Sequence, residues 1–106
     1  MLDIKYKELT QEEAKRNLDE NMDILLVDVR EVEEFNAGHI EGAELIPLGE
    51  VEEAFANMDI DKDAEIYLYC RSGRRSEVAT LALADMGFTN AYNIGGVLDW
   101  KYGLVK

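Results

Sequence analysis

The chain of 106 residues contains one cysteine, one histidine and one proline. A single cysteine excludes an internal disulfide framework, and together with a single histidine it excludes a classical structural zinc site. One proline and eight glycines argue against a collagen-like or low-complexity chain. Positive charge is scarce, with 11 Lys and Arg against 23 Asp and Glu, for a formal net charge of −12. A nucleic-acid binder needs a basic footprint, so no nucleic-acid partner is expected. No apolar run approaches the ~18 residues of a membrane span, so no membrane partner is expected either. The start, Met1-Leu2-Asp3-Ile4-Lys5-Tyr6, lacks the basic and then apolar pattern of a secretory leader, which makes a cytoplasmic location the expectation.

What is present is enough for one domain, expected over residues 1–106. Hydrophobic residues make up 47% of the chain, and a domain of this size buries roughly 65% of the surface that its unfolded chain exposes. The charge is unevenly placed. Residues 1–69 hold 6 basic and 20 acidic side chains, whereas residues 70–106 hold 5 basic and 3 acidic ones. Three of those five are Arg71, Arg74 and Arg75, directly after the only cysteine, Cys70.

Ile4 to Leu9 alternates apolar with polar and reads as a first strand. Thr10 followed by Glu13 is a capping-box pattern, which predicts a helix from Gln11 to about Glu20. The apolar run Ile24 to Val29 is a strand buried on both faces. A short helix over Glu31 to Ala37, stopped by Gly38, leads to a loop at His39 to Ala43 and a brief strand at Leu45-Ile46 ended by Pro47. Gly49 to Met58 is helical. Ala64 to Cys70 is a second buried strand, and Arg71 to Arg74 is a polar turn. Arg75 to Met86 is a helix with Val78, Leu81, Ala82 and Met86 inward and Gly87 as its stop. Ala91 to Ile94 is a strand, and Gly95-Gly96 turns the chain into a short helix carrying Trp100. The four methionines read as core filler. Strands alternating with helices predict an α/β domain with a mainly parallel central sheet flanked by helices on both faces. Ligands of such sheets bind beyond the carboxyl ends of the strands, where Cys70 sits.

A free cysteine normally packs as a small hydrophobe. Here the strand, tight polar turn and helix converge backbone N–H groups on one point, and the helix N-terminus adds partial positive charge. The three arginines add formal charge. All of these favour thiolate over thiol and make Cys70 a candidate nucleophile in an anion cradle.

Cys70-Arg71-Ser72-Gly73-Arg74-Arg75-Ser76 resembles the active-site loop of single-domain rhodaneses, the thiosulfate sulfurtransferases. The resemblance extends through Leu26-Val27-Asp28-Val29-Arg30, Glu34-Phe35, Gly38-His39-Ile40-Glu41-Gly42-Ala43, Ile46-Pro47 and Gly95-Gly96 with Trp100, in the family's order. It implies a rhodanese-like fold and a persulfide mechanism with Cys70 as the catalytic residue. Arg71, Ser72, Gly73, Arg74 and Arg75 would bind the substrate. Within that set, Arg71 and Arg74 would face solvent and the sulfonate end of the donor, and Arg75 would orient the loop. The implied partners are a small anionic sulfur donor, a thiol or cyanide acceptor, and a persulfide-carrying protein as a further candidate. No cofactor or metal is called for.

Asp28 and Arg30 read as a charged pair that ties neighbouring loops together. His39 reads as shaping a loop near the site, and Trp100 as packing at the site rim. Two readings from other classes stay open. In a phosphatase or arsenate reductase on a related fold, five residues separate Cys from Arg. Here the sixth position after Cys70 is Ser76, and Arg75 falls one short. A non-catalytic binding module of rhodanese type is the other alternative, although Cys70 and the Arg and Gly complement of the loop are all present.

Overall fold

Thr10 accepts a hydrogen bond from the Glu13 N–H at 3.1 Å, and the Glu13 carboxylate accepts one from the Thr10 N–H at 3.2 Å. This reciprocal cap starts the first helix where the sequence places it, in a computed structural model that describes residues 7–106. The chain runs β1 (Lys7–Glu8), α1 (Gln11–Glu20), β2 (Leu25–Asp28), α2 (Val32–Ala37), β3 (Glu44–Leu45), α3 (Val51–Asn57), β4 (Ile66–Cys70), α4 (Arg74–Asp85) and β5 (Ala91–Gly96). The five strands form one sheet in the order β1-β5-β4-β2-β3, and every pairing is parallel.

Side-chain alternation along the two inner strands builds a core on each face of the sheet. Val27 and Val29 of the β2 segment, with Ile66, Leu68 and Cys70 of β4, pack with Val51, Phe55, Ala79 and Leu83 from α3 and α4. Leu26, Tyr67 and Tyr69 pack on the opposite face with Ala14 of α1, Ile40, Ile94 and Trp100. The expected parallel sheet with helices on both faces is therefore what the chain builds. No helix of the described residues is long and apolar enough to cross a membrane.

Several local expectations change. Residues 4–6 of the expected first strand lie outside the described residues, and the strand itself covers Lys7–Glu8. The helix expected from Gly49 begins as a 3₁₀ turn, Leu48–Glu50, before α3. Trp100 follows a 3₁₀ turn, Val97–Asp99, rather than lying within a helix. Of the four methionines expected to fill the core, Met22 is 95% exposed, Met58 and Met86 pack against the core, and Met1 lies outside the described residues.

The largest correction concerns α4. Val78, read as inward, is 53% exposed, and the buried face is Ser76, Ala79, Thr80 and Leu83. Hydropathy misassigned this face because two of its residues are hydroxylated and buried with partners: Thr80 donates to the Ser76 carbonyl at 2.7 Å, and Ser76 donates to Asn93. The helix stop is as expected. Gly87 takes φ +98°, and the Phe88 N–H reaches back to the Leu83 carbonyl at 3.0 Å while the Gly87 N–H meets Ala84 at 3.1 Å.

Candidate active site

Cys70 ends β4 and is 1% exposed. The chain then turns through Arg71 and Ser72 to Gly73, whose φ of +103° is the left-handed conformation that starts α4 at Arg74. This turn aims the N-terminus of the 12-residue α4 back at the sulfur. The Gly73 N–H lies 3.0 Å from Cys70 Sγ, and the Ser76 hydroxyl lies 3.5 Å from it. Burial pushes the Cys70 thiol up, but hydrogen bonds that the thiolate form can accept from the Ser76 hydroxyl and from the N–H groups of Ser76, Gly73 and Ser72 outweigh it, leaving the thiol below its ordinary value.

β5 walls the other side of the loop. Pairing of β4 with β5 runs Leu68 to Asn93 and then Cys70 to Gly96, so β5 carries one extra residue there, a bulge beside the site. Gly95 takes φ +96° in it. Side chains supply hydrogen bonds at the bulge. Asn93 Oδ1 accepts from the Gly95 N–H at 3.0 Å, and Gln11 donates to the carbonyls of Ile94 and Gly96, each at 3.0 Å. Asn93 also accepts from Ser76 at 2.7 Å and donates to the Gly73 carbonyl at 3.1 Å. Gly96 abuts the Arg71 carbonyl so closely that a β-carbon there would overlap it. The Leu98 N–H donates to that same carbonyl at 3.1 Å.

Of the three loop arginines, Arg71 and Arg74 are exposed. Arg75 turns away to Glu34 of α2 in a two-point ion pair, 2.8 and 2.9 Å. The hydrogen bonds from Arg75 are the main reason that the Glu34 carboxyl drops to about 2. An open cleft of about 700 Å³ borders the loop, lined in part by Gln11, Ser72, Gly73, Arg74, Asn93 and Asp99. Among the described residues no group of three or more His, Cys, Asp or Glu side chains is placed to hold a metal ion.

Asp28 and Arg30 lie at the end of the neighbouring strand. Both are buried, and Arg30 meets both carboxylate oxygens of Asp28 and the Gly38 carbonyl, the last at 2.7 Å. Tyr69 accepts from the Ile40 N–H at 3.0 Å, and burial together with the Asp28 carboxylate raises its phenol. His39 stacks on Phe35 with ring centroids 3.7 Å apart, contacts the Phe35 carbonyl through Nδ1 at 2.9 Å and bridges to Val105 in the backbone. Trp100 is buried in the core on the Tyr69 face and meets the ring of Tyr102 edge-on. Asp28, Arg30, His39 and Trp100 have no hydrogen bond or ion pair to Cys70 among the described contacts.

Sequence reasoning missed Gln11, Glu34 and Asn93, and it left Ser76 out of the site. Their signal is a three-dimensional one: each polar side chain meets loop or bulge groups from another part of the chain. Only Glu34 had a local hint, as part of the Glu34-Phe35 block.

The comparisons with known proteins agree with this geometry. The model of the rhodanese-like domain matches residues 10–102. YrkF of Bacillus subtilis, a candidate sulfur carrier protein by name, is 42% identical over 94 residues, covering 88% of this chain and 50% of YrkF. The chain thus spans about half the length of that relative. The thiosulfate sulfurtransferase PspE of Escherichia coli is 41% identical over 80 residues, 76% of this chain and 77% of PspE. Among solved structures, an E. coli rhodanese with anions superposes with a TM-score of 0.72 at 38% identity, covering 78% of this chain and 98% of that one. A human single-domain sulfurtransferase gives 0.77 at 28% identity, covering 87% and 91%. With the family model matched over nearly the whole chain and a loop that puts its one cysteine at a helix N-terminus, this chain belongs to the rhodanese-like family.

Proposed function

We propose that this chain is a sulfurtransferase that carries sulfane sulfur on Cys70. The observation that supports it best is Cys70 Sγ at the focus of the loop, with the Gly73 N–H at 3.0 Å and the Ser76 hydroxyl at 3.5 Å. The Cys70 thiolate attacks the outer sulfur of thiosulfate or of another persulfide donor. The donor's S–S bond breaks, sulfite or a thiolate departs with the electron pair, and Cys70 is left as a persulfide anion. A thiophilic acceptor, cyanide or a thiolate, then takes the outer sulfur and returns Cys70 as thiolate. Loop N–H groups stabilise the negative charge that moves between the inner and outer sulfur, as fixed donors do at an oxyanion. Arg71 and Arg74, both exposed, are available to the anionic end of the donor or to an acidic surface on a persulfide-carrying protein.

Phosphatase chemistry fits the loop less well. A phosphate loop needs its arginine free to grip the oxyanion, whereas Arg75 is held by two hydrogen bonds to Glu34. Intact-protein mass spectrometry after thiosulfate treatment tests the proposal. One added sulfur, released by cyanide and absent in Cys70→Ser, is expected. Sulfur uptake by Cys70→Ser, or none by the native chain with any donor, removes the persulfide scheme.

A further inference from the structure

Asn93 is chemically unusual for its position. It sits inside β5, between β4 and β1, at 6% exposure, where asparagine is a poor strand former. All three of its described side-chain hydrogen bonds go to groups around the sulfur: the Ser76 hydroxyl at 2.7 Å, the Gly95 N–H at 3.0 Å and the Gly73 carbonyl at 3.1 Å. These partners also fix its orientation, because the Gly95 N–H can only donate to one side of the amide and the Gly73 carbonyl can only accept from the other.

The Ser76 hydroxyl has one proton and three acceptors in reach: Asn93 Oδ1 at 2.7 Å, the Gly95 carbonyl at 3.4 Å and Cys70 Sγ at 3.5 Å. The shortest contact takes the proton. With its proton on Asn93, the Ser76 oxygen turns a lone pair to sulfur, which suits a neutral S–H. A thiolate or persulfide anion instead needs the hydroxyl to donate, and Ser76 can do so only by leaving Asn93. We propose that Asn93 is a positioning residue for the nucleophile, holding the Ser76 proton away from Cys70 in the resting thiol and yielding it when negative charge builds on sulfur. Asn93 thus restrains the resting thiol, while its contact with the Gly73 carbonyl keeps the loop in place for the charged state.

The rate of iodoacetamide alkylation against pH reads this directly, in the native chain, Asn93→Ala, Ser76→Ala and the double variant. Asn93→Ala should lower the midpoint by about half a unit to one unit, the size set by one modest hydrogen bond. Ser76→Ala should raise it, and Asn93→Ala should then add no further shift. Asn93→Leu, which keeps volume inside the strand, should move the midpoint in the same direction and serves if the alanine variant does not fold. The charged groups of the surrounding elements are Arg71 in the loop, Arg74, Arg75 and Glu77 on α4, Glu34 on α2, Glu8 on β1, Glu13 on α1 and Asp99 after β5, and none of them is altered. An unchanged or raised midpoint on losing Asn93, or the same shift with and without Ser76, overturns the inference. The inference rests on Cys70 being the reacting thiol. Alkylation needs no sulfur transfer, so a failure of the proposed activity and a failure of the Asn93–Ser76 coupling are read in separate measurements.

Discussion

Two buried polar clusters sit side by side at the carboxyl end of the sheet and are built on opposite principles. Around Asp28 and Arg30 the charges are full and satisfied among themselves: the carboxylate meets the guanidinium, and the guanidinium also meets the Gly38 carbonyl. Around Cys70 the groups are neutral dipoles, from Ser76, Asn93 and the loop N–H groups. A closed ion pair has nothing left to offer a substrate and is costly to disturb, so it fixes loops. Neutral dipoles need no counter-ion and can reorient around a charge that comes and goes, so they suit a sulfur that alternates between thiol and thiolate and, in the function proposed above, persulfide. Arg75 shows the same division. Its charge is taken up mainly by Glu34, with Cys70 a lesser electrostatic partner, and the pair anchors α4 to α2.

Breaking the ionic cluster should have the largest effect, and on stability. Asp28→Asn leaves the Arg30 charge without its carboxylate inside the protein and should cost about 3–5 kcal/mol in urea unfolding. The alkylation midpoint of Cys70 should move little in the molecules that remain folded. A large midpoint shift with little loss of stability would erase the contrast between the clusters. Next comes the dipolar site. Gly96→Ala pushes a methyl group into the Arg71 carbonyl and must displace the loop. A displacement on the order of 1 Å lowers turnover by about a hundredfold, read as kcat for sulfur transfer from thiosulfate to cyanide. Retained turnover would mean that the loop tolerates movement which the dipole arrangement forbids.

The smallest effect is expected at Glu34. Its carboxyl is lowered to about 2 in the folded chain by Arg75. A lowered carboxyl stabilises the fold above its unfolded value, near ~4.3, and that contribution is lost as pH falls through the folded value. Glu34→Gln should therefore cost about 1 kcal/mol at neutral pH, the scale of a partly exposed pair. The difference from the native chain should shrink from about pH 5 downward and vanish only below about pH 2. A difference that stays constant over that range would show that the ion pair is not its source.

Much of this was legible along the chain because its causes are local. Thr10 and Glu13 are three residues apart, and the cap they form sets the start of α1. Gly87 stops α4 through bonds that span one helical turn. Cys70 falls at a strand end because an apolar run gives way to a polar turn there. On α4 local reading failed because buried residues there are polar. Ser76 and Thr80 face the core of α4 because a hydrogen bond replaces the water that each hydroxyl loses.

The sequence by itself determined the alternation of strands and helices, the parallel sheet and the placing of its one thiol before a glycine-bearing turn. These follow from periodicity, capping and chain sterics, which act over a few residues. Only the tertiary structure decided that Asn93 would meet Ser76 across 17 residues, that Gln11 would reach the bulge from 83 residues away, and that Glu34 would claim Arg75 across 41. Hydrogen bonds and ion pairs act over a few ångströms and carry no trace of chain separation, so the groups that tune the sulfur are defined only once the sheet has brought them together.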